Sequence, residues 1–399
     1  MSAKVILVWF RNDLRTNDNE VLLSAIQKSD FVIPVYIFDP RYYAQNKHGH
    51  NNTGEIRAEF IKKSVFALKQ KLQDFGGDLL TFEGYPEEII PHLVQKYDVD
   101  EVYHHREVAK RETHISELVE EALWKVKRNL KHFIGHTLYH KEDLPFPIKD
   151  IPNDFNTFKK KVIKESFIRP ILGEIEKIVI PPHLEKTDLN NSELTTEELD
   201  VYGEDAAFKL LENIPELAES NTEAYTLLSP YLALGVLSAG SVYKYLNERI
   251  TPKNKKGINA IIDNLYLRDY FRFMLKKYPN RYFIANNNKT SSTETTNNWK
   301  SANTNNEIIN DLMKKLNKTG NLTKHERELS ALYFIYELKQ NWLDGAAWFE
   351  NQLIDYAPAT TYGFWAHMAN EGTSLKNNRT PEDFDKIKEA LTPLINTEK

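Results

Sequence analysis

The sequence predicts an α/β fold with a doubly wound parallel sheet, followed by a region that is entirely α-helical. Three observations predict this division. Short β-branched and aromatic runs alternate with amphipathic stretches near the amino terminus, strand signals nearly vanish after residue 200, and a segment rich in proline, acidic residues and asparagine lies between, at 173–198. The 399 residues are enough for two domains with buried cores. We therefore predict an α/β domain over 1–163, a linker over 164–199 and a helical domain over 200–399.

Four strands are predicted in the first domain: Val5–Phe10, Phe31–Phe38, 79–83 and 101–103. Amphipathic helices are predicted between them, in the segment that carries Leu14, Val21, Leu22 and Ile26, at 55–75 and at 86–97. Strands that alternate with helices of this length imply right-handed crossovers and a mostly parallel sheet. Ligands of such sheets lie beyond the carboxyl ends of the strands. The polar residues Arg11, Asn12, Asp13, Arg15 and Asp18 occupy such a position, with capping of the following helix as the alternative.

The second domain is predicted to contain seven helices: 204–211, 229–237, 240–248, 258–277, 307–316, 323–339 and 344–354. Between them, NNNKTSSTETTNN at 286–298 predicts a polar loop. Helices packed around a cavity are a common way to house a cofactor.

The composition excludes several function classes. With no cysteine, thiol catalysis and structural disulfides are excluded, and a reducing, cytoplasmic compartment is expected. The first apolar run is short and is followed at once by Arg11, so it predicts a buried strand and no membrane segment. The net charge of −5 means that nucleic-acid binding would need a local basic patch. The histidine pairs 48/50 and 104/105 lack further ligands, so no metal site is predicted. We also expect the protein to be a monomer.

The densest clue is the aromatic stretch 341–372, which contains Trp342, Trp348, Phe349, Tyr356, Tyr362, Phe364 and Trp365. Its helical pattern breaks before Pro358, because the residue before a proline avoids the α region, and Asp355 lies at that break. Ordinary core packing is the plain alternative. The order W-x-x-G-x-x-W-F, then Asp, then Tyr-Gly-x-Trp, however, resembles the flavin-contacting helices of the photolyase and cryptochrome family, and most closely its DASH branch.

Two more stretches extend the resemblance over most of residues 4–372. WFRNDLRTNDNEVL at 9–22 looks like the opening of the family's antenna domain, and TLYHKEDLPFPIKDIPNDFNTFKKKV at 137–162 is close to a signature of the DASH branch. The resemblance implies a Rossmann-like antenna domain followed by an all-helical FAD-binding domain. Glu107 falls where relatives contact a folate antenna, so methenyltetrahydrofolate is a candidate second chromophore. A solvated glutamate at a helix start is the alternative.

YTLLSPYLALGVLS at 225–238 resembles the segment that wraps the flavin diphosphate, with a helix that begins at Pro230. Phosphate oxygens favour hydroxyls and backbone N–H groups at the positive end of a helix. In relatives Arg327 pairs with Asp355, and such a pair can hold the polar edge of the flavin, although a purely structural ion pair is the alternative. Thr361 takes the position that faces flavin N5. The FAD contacts implied by the resemblance are Thr226, Leu228, Ser229, Arg268, Arg327, Asp355 and Ala357.

Three tryptophans match the family's electron-transfer chain: Trp365 nearest the flavin, Trp342 next and Trp299 outermost. In relatives this chain carries an electron from the protein surface to the photoexcited flavin. Core packing explains Trp342 as well, but it explains Trp299 poorly, since Trp299 follows a polar loop.

The substrate pocket departs from the family pattern. Where photolyases hold a flipped pyrimidine dimer, this chain has Asn264, Leu267 and His367, and Ala357 replaces a second acidic residue. Base flipping requires stacking and hydrogen bonds that offset the unstacking. We therefore predict a blue-light-absorbing FAD flavoprotein with a photoreceptor or redox role and impaired repair. The alternatives are a photolyase that repairs pyrimidine dimers in single-stranded DNA, and a flavin-free relative that binds nucleic acid. The partners expected are single- or double-stranded DNA, RNA or a signalling protein.

Overall fold

A computed structural model of the protein describes residues 3–187, 201–286, 290–374 and 379–395. Most of the predicted linker's second half, 188–199, therefore lies outside the described residues, as does part of the predicted polar loop, 287–289. Within the described ranges, no helix is both long and apolar enough to cross a membrane.

Five parallel strands form one sheet in the order β3-β2-β1-β4-β5. They are β1 Val5–Phe10, β2 Phe31–Phe38, β3 Leu80–Glu83, β4 Glu101–His105 and β5 Leu130–Phe133. The strand order reverses on either side of β1, whose six residues are all buried, so the predicted doubly wound α/β fold is confirmed. β5 was not predicted, because its four residues, LKHF, carry too little β-branched or alternating pattern.

Five helices accompany the sheet: α1 Glu20–Lys28, α2 Glu55–Asp74, α3 Pro86–Lys96, α4 Lys110–Lys125 and α5 Phe155–Glu165. Local chemistry starts them. Asn19 caps α1 by accepting the Leu22 N–H at 3.1 Å, and Asp154 caps α5 by accepting the Thr157 N–H at 2.9 Å. The cap of α1 is therefore Asn19 and not one of the five polar residues for which capping was the alternative.

The two faces of the sheet are buried against different partners. Val5, Leu7 and Trp9 of β1 share a core with residues of α3 and α4, whereas the alternate residues of β1, such as Ile6 and Val8, join a core that continues through the helical region. This follows from the period of two in a strand, which sends successive side chains to opposite faces. On the face that carries Ile6 and Val8, α1 contacts the strands, and α2 contacts the helices Gly203–Leu217 and Trp342–Gln352 of the helical region, so one core joins the two parts.

The helical region comprises α6 Gly203–Leu217, α7 Tyr225–Ala233, α8 Ala239–Asn247, α9 Lys255–Lys277, α10 Thr293–Lys300, α11 Glu307–Thr319, α12 Lys324–Leu332, α13 Trp342–Gln352, α14 Pro358–Met368 and α15 Pro381–Ile395. A single turn of π-helix, Tyr333–Glu337, extends α12. Each of the seven predicted helices overlaps an observed one. The polar-loop prediction for 286–298 is wrong at its end, because Ser292 caps α10 and one face of that helix buries Thr296 and Trp299.

The predicted break in the aromatic stretch is present. α13 ends at Gln352, and α14 begins at Pro358, where the missing N–H of a proline is tolerated. Ala357 is extended, with φ −137° and ψ 128°, as expected before proline. Asp355 lies in this gap, and the Ile354 N–H donates to the Gly320 carbonyl at 3.0 Å, which anchors the gap on the end of α11.

A buried carboxylate on α9 fixes the connection between the sheet and the helices. Asp269 accepts the backbone N–H groups of Leu138 at 3.0 Å and Tyr139 at 2.9 Å. Burial raises the pKa of Asp269 to about 7, although those two hydrogen bonds oppose the rise. The segment that resembles the DASH signature is thus held on the longest helix of the protein.

We expect Asp269→Asn to change how stability depends on pH. A carboxyl whose folded-state pKa is raised contributes stability below its usual pKa of 3.8, and that contribution is lost as the pH rises through about 7. Asparagine cannot titrate, so the wild type should lose a few kcal/mol relative to the variant between these two pH values. Urea unfolding at several pH values measures this difference. A difference that stays constant with pH would contradict the assignment, because loss of the hydrogen bond alone does not depend on pH.

Candidate functional site

A cavity opens among α7, α9, α12, α13 and α14. It is lined by Tyr225, Thr226, Ser229, Ala233, Asn264, Leu267, Arg268, Phe271, Lys324, Arg327, Phe349, Leu353, Asp355, Ala357, Thr360, Thr361 and Phe364. Six of the seven residues for which the resemblance implied FAD contacts are among them. Leu228 is not, because it points away from the cavity on α7 and is fully buried in the core. The structure therefore brings together residues that are up to 139 positions apart in the sequence, from Tyr225 to Phe364.

An ion pair lines one side of the cavity. Arg327 Nη2 lies 2.8 Å from Asp355 Oδ2, and Arg327 Nε donates to the Leu322 carbonyl at 2.8 Å. The other carboxylate oxygen, Asp355 Oδ1, is buried and has no hydrogen-bond partner among the residues that the structure describes. A buried acceptor without a donor is costly, so this oxygen fits a ligand that donates an N–H or O–H.

Arg268 places a second cation in the cavity wall. Its guanidinium donates to the carbonyls of His136 and Leu232, the latter at 2.9 Å. No carboxylate lies within ion-pair distance of it in the described ranges. Burial lowers the pKa of Arg268, and neighbouring Arg272 lowers it further. A buried cation held only by carbonyls fits an anionic ligand group such as a diphosphate.

The segment predicted to contact the diphosphate starts earlier than expected. α7 begins at Tyr225 and contains Pro230, so the prediction that the helix starts at Pro230 is wrong. Proline has no N–H for the Thr226 carbonyl four residues before it, and the Ser229 hydroxyl donates to that carbonyl at 3.0 Å instead. This local exchange lets the proline sit inside the helix and keeps Thr226 and Ser229 on the cavity side.

The remaining walls are flat and apolar. Leu267, Phe271, Phe349 and Phe364 line the cavity, and Thr361 adds a buried hydroxyl-bearing side chain. Aromatic faces suit planar ring systems, and polar groups at one edge can orient them. The unpartnered Asp355 oxygen, the unpaired Arg268 and these walls together fit FAD, which combines a flat ring with N–H donors and an anionic diphosphate.

Trp365 lies directly behind the cavity wall. It is fully buried, and its ring centroid is 5.0 Å from that of Phe349 and 6.4 Å from that of Phe364. The missing side chain of Gly345 makes room for it, since a Cβ there would lie 2.3 Å from the indole. Trp342 shares the face of α13 that carries Gly345 and is also buried.

Trp299 does not lie where the resemblance implied. It is fully buried, and its ring meets Trp365 edge-on with centroids 6.2 Å apart. Phe334 of the π-helical turn packs on it at 4.5 Å. An outermost position is therefore wrong for Trp299, because α10 turns its apolar face inward and places this indole beside Trp365.

The altered substrate-pocket residues divide between two cavities. Asn264 and Leu267 line the first cavity, and the Asn264 amide donates to the Ala260 carbonyl of its own helix at 2.8 Å. His367 lies in an adjoining cavity, where burial together with the nearby cations Arg379 and Lys324 lowers its pKa to about 4. Four side chains line both cavities: Leu267, Phe271, Lys324 and Phe364.

Glu107 is buried and is held by three side chains. One carboxylate oxygen accepts from Asn12 and His136, both at 2.9 Å, and the other lies 3.2 Å from Arg272. Burial alone would raise the pKa of Glu107, but His136 and Arg272 hold it well below its usual range. The solvated interpretation of Glu107 is therefore wrong, because the side chain is a buried clamp between the sheet and α9, and its contact with an antenna chromophore stays a prediction.

A third cavity lies beyond the carboxyl ends of β1 and β2, where the sequence predicted a ligand position, and Arg11 and Asn12 of the predicted residues line it. Its lining includes Tyr36, Tyr42, Tyr43, Arg57 and Tyr356. The signal was present in the aromatic pair Tyr42-Tyr43 just after β2, at the edge where ligands of such sheets bind.

Comparison with known proteins identifies the class. A family model described as DNA photolyase matches residues 6–174, and one described as the FAD binding domain of DNA photolyase matches residues 261–386. A curated protein of Gloeobacter violaceus named Cryptochrome DASH is 32% identical over 412 residues, which cover 95% of this chain and 82% of the relative. The chain belongs to the DNA photolyase and cryptochrome family.

Within that family, the similarity is to the DASH branch, and the chain carries the family's FAD-binding domain. The crystal structure of a Synechocystis cryptochrome is similar with a TM-score of 0.88 and 29% identity, over 98% of this chain and 87% of that one. An archaeal photolyase from Sulfolobus tokodaii, solved with two FAD molecules, shares the fold with a TM-score of 0.76 and 24% identity, over 96% of this chain and 89% of that one.

Proposed function

We propose that this protein holds FAD in the cavity between α7 and α14 and that blue light drives reduction of the flavin through Trp365. The observation that carries the proposal is that one cavity combines an unpartnered Asp355 oxygen, a buried Arg268 without a carboxylate partner and a wall backed by Trp365. FAD would supply a hydrogen-bond donor for the Asp355 oxygen, an anionic group for Arg268 and an electron acceptor for Trp365.

The chain's own groups divide the work of binding. Asp355 Oδ1 would accept an N–H from the polar edge of the ring, and Arg327 holds the carboxylate in place at 2.8 Å. Arg268 would neutralise the diphosphate, with Thr226 and Ser229 beside it, while Phe349 and Phe364 would enclose the ring. When bound, FAD supplies blue-light absorption and one-electron chemistry. Thr361 would face N5, and Trp365 would provide the electron.

A photoreceptor or redox role is favoured over dimer repair. The Asn264 amide donates to a carbonyl of its own helix, and the Leu267 side chain cannot form a hydrogen bond. His367 is neutral and lies in the adjoining cavity. Few groups are thus left to hold a flipped dimer.

Repair of dimers in single-stranded DNA is the second candidate, because the adjoining cavity shares four side chains with the first and could present a base to the flavin. DNA, RNA or a signalling protein is the proposed partner, and the cysteine-free composition supports a cytoplasmic location.

An antenna chromophore would occupy the cavity beyond β1 and β2. Tyr36, Tyr42 and Tyr43 supply aromatic faces there, whereas Glu107 is buried and is not part of the lining. The archaeal photolyase with two FAD molecules supports the idea that this fold holds a second chromophore. A folate such as methenyltetrahydrofolate is one candidate and a second flavin is another.

The absorption spectrum of the protein purified in darkness tests the proposal. We expect bound flavin, bleached by blue light in the presence of a thiol, and little cleavage of thymine dimers in single-stranded DNA under the same light. A protein that repairs dimers efficiently would support the photolyase alternative. A colourless protein that takes up no added FAD would contradict both and support the flavin-free alternative.

A further inference from the structure

We propose that Trp348 is the surface end of the electron path, and that the path runs from Trp348 through Trp299 to Trp365. The proposal rests on the proposed function, since it concerns the route by which the flavin is reduced. It replaces the order Trp299, Trp342, Trp365 that the family resemblance implied.

Exposure singles out Trp348. All six tryptophans lie within the described residues. Trp9 and Trp124 belong to the sheet domain, and Trp299, Trp342 and Trp365 have exposed fractions of 0, 2 and 0%. Trp348 alone in the helical region is only partly buried. An electron from a reductant in solution must enter through a ring that the reductant can approach. The three buried tryptophans therefore need an exposed ring as the point of entry.

Packing connects Trp348 to Trp299. α10 and α13 lie against each other, and Lys300, which follows Trp299, places its Nζ 5.4 Å from the Trp348 ring centroid. On the other side of the contact, Phe349, which follows Trp348, stacks on Trp299 at 6.3 Å. The two indoles are thus held by neighbours that touch across one helix interface, and Trp299 meets Trp365 directly at 6.2 Å.

The path moves electrons without moving protons inside the protein. Nε1 of Trp299, Trp348 and Trp365 is buried in each case and has no acceptor in the part of the chain that the structure describes. An oxidised indole therefore keeps its proton. Trp365 gives one electron to the excited flavin, Trp299 gives one to Trp365, and Trp348 gives one to Trp299. A thiolate in solution returns one electron to Trp348 and becomes a thiyl radical, so the protein's tryptophans end unchanged.

Lys300 affects the energy of the step in which Trp348 gives its electron to oxidised Trp299. Its ammonium lies over the Trp348 ring, and a cation there disfavours the positive charge of an oxidised indole. Removing the ammonium should make Trp348 easier to oxidise and speed the path. Loss of the Lys300 ammonium should therefore raise the photoreduction rate, whereas loss of the Trp348 indole should lower it. A purely structural role of Trp348 would not predict these opposite changes.

The test measures photoreduction of the FAD-loaded protein with dithiothreitol in four variants. We expect Trp348→Phe and Trp299→Phe to slow it about tenfold each, equivalent to about 1.4 kcal/mol in activation free energy, with unchanged flavin content. Lys300→Met should accelerate it. Trp124→Phe, which removes an indole that is 59% exposed on α4, is the matched control and should have no effect.

A second readout needs no flavin. Iodide should quench part of the tryptophan fluorescence of flavin-free Trp124→Phe protein, and adding Trp348→Phe should abolish that part. Two results would overturn the role of Trp348 alone: photoreduction at the wild-type rate in Trp348→Phe, or no iodide quenching in flavin-free Trp124→Phe protein. A wild-type protein that binds FAD but is not photoreduced would overturn the proposed function, and this path with it.

Discussion

Trp365→Phe is expected to slow light-driven reduction of the bound flavin by about 100-fold, or about 3 kcal/mol in activation free energy, while FAD remains bound. The indole lies behind Phe349 and Phe364 in the cavity wall and touches no polar group of the site, so its loss removes an electron donor and not a ligand of the cofactor. Bleaching under blue light with dithiothreitol, followed at the flavin absorption maximum, measures the rate.

The variant's stability must be checked alongside, because Trp365 is fully buried and a smaller ring leaves space beside Gly345. Thermal unfolding and flavin stoichiometry provide this check. If a folded variant with full flavin content bleaches as fast as the wild type, Trp365 is not the donor. The matched control is again Trp124→Phe, whose indole is far more exposed.

Asp355→Asn is expected to weaken FAD binding about 30-fold, or about 2 kcal/mol. Asparagine keeps the shape of the side chain but removes the charge that pairs with Arg327 at 2.8 Å, and it cannot present two acceptor oxygens. Removing the charge of Asp355 leaves the buried Arg327 cation without its anionic partner. Titration of the flavin-free protein with FAD, followed by quenching of flavin fluorescence, measures the dissociation constant.

Asp263→Asn is the control for that change. Asp263 lies on α9 and pairs with Lys159 at 2.5 Å, but its side chain is 49% exposed, so its ion pair contributes little. We expect its FAD affinity to equal that of the wild type. Equal affinity in Asp355→Asn would show that the unpartnered oxygen does not receive the flavin.

Local patterns in the sequence were sufficient for the fold class and for part of the site. The β-branched runs at β1 and β2 predicted strands with the observed bounds, and Pro358 predicted the break between α13 and α14. The family resemblance correctly implied that Arg327 pairs with Asp355. These features depend on neighbours in the chain or on residue types whose chemistry allows few alternatives.

Only the tertiary structure decided which surfaces each side chain meets. Trp299 follows a polar segment and was expected near the surface, yet α10 turns it against Trp365. Glu107 reads as a solvated residue but is buried because Asn12, His136 and Arg272 converge on it from distant parts of the chain. The burial of a residue depends on how helices and sheet pack, and those contacts join positions whose sequence separation exceeds any local pattern.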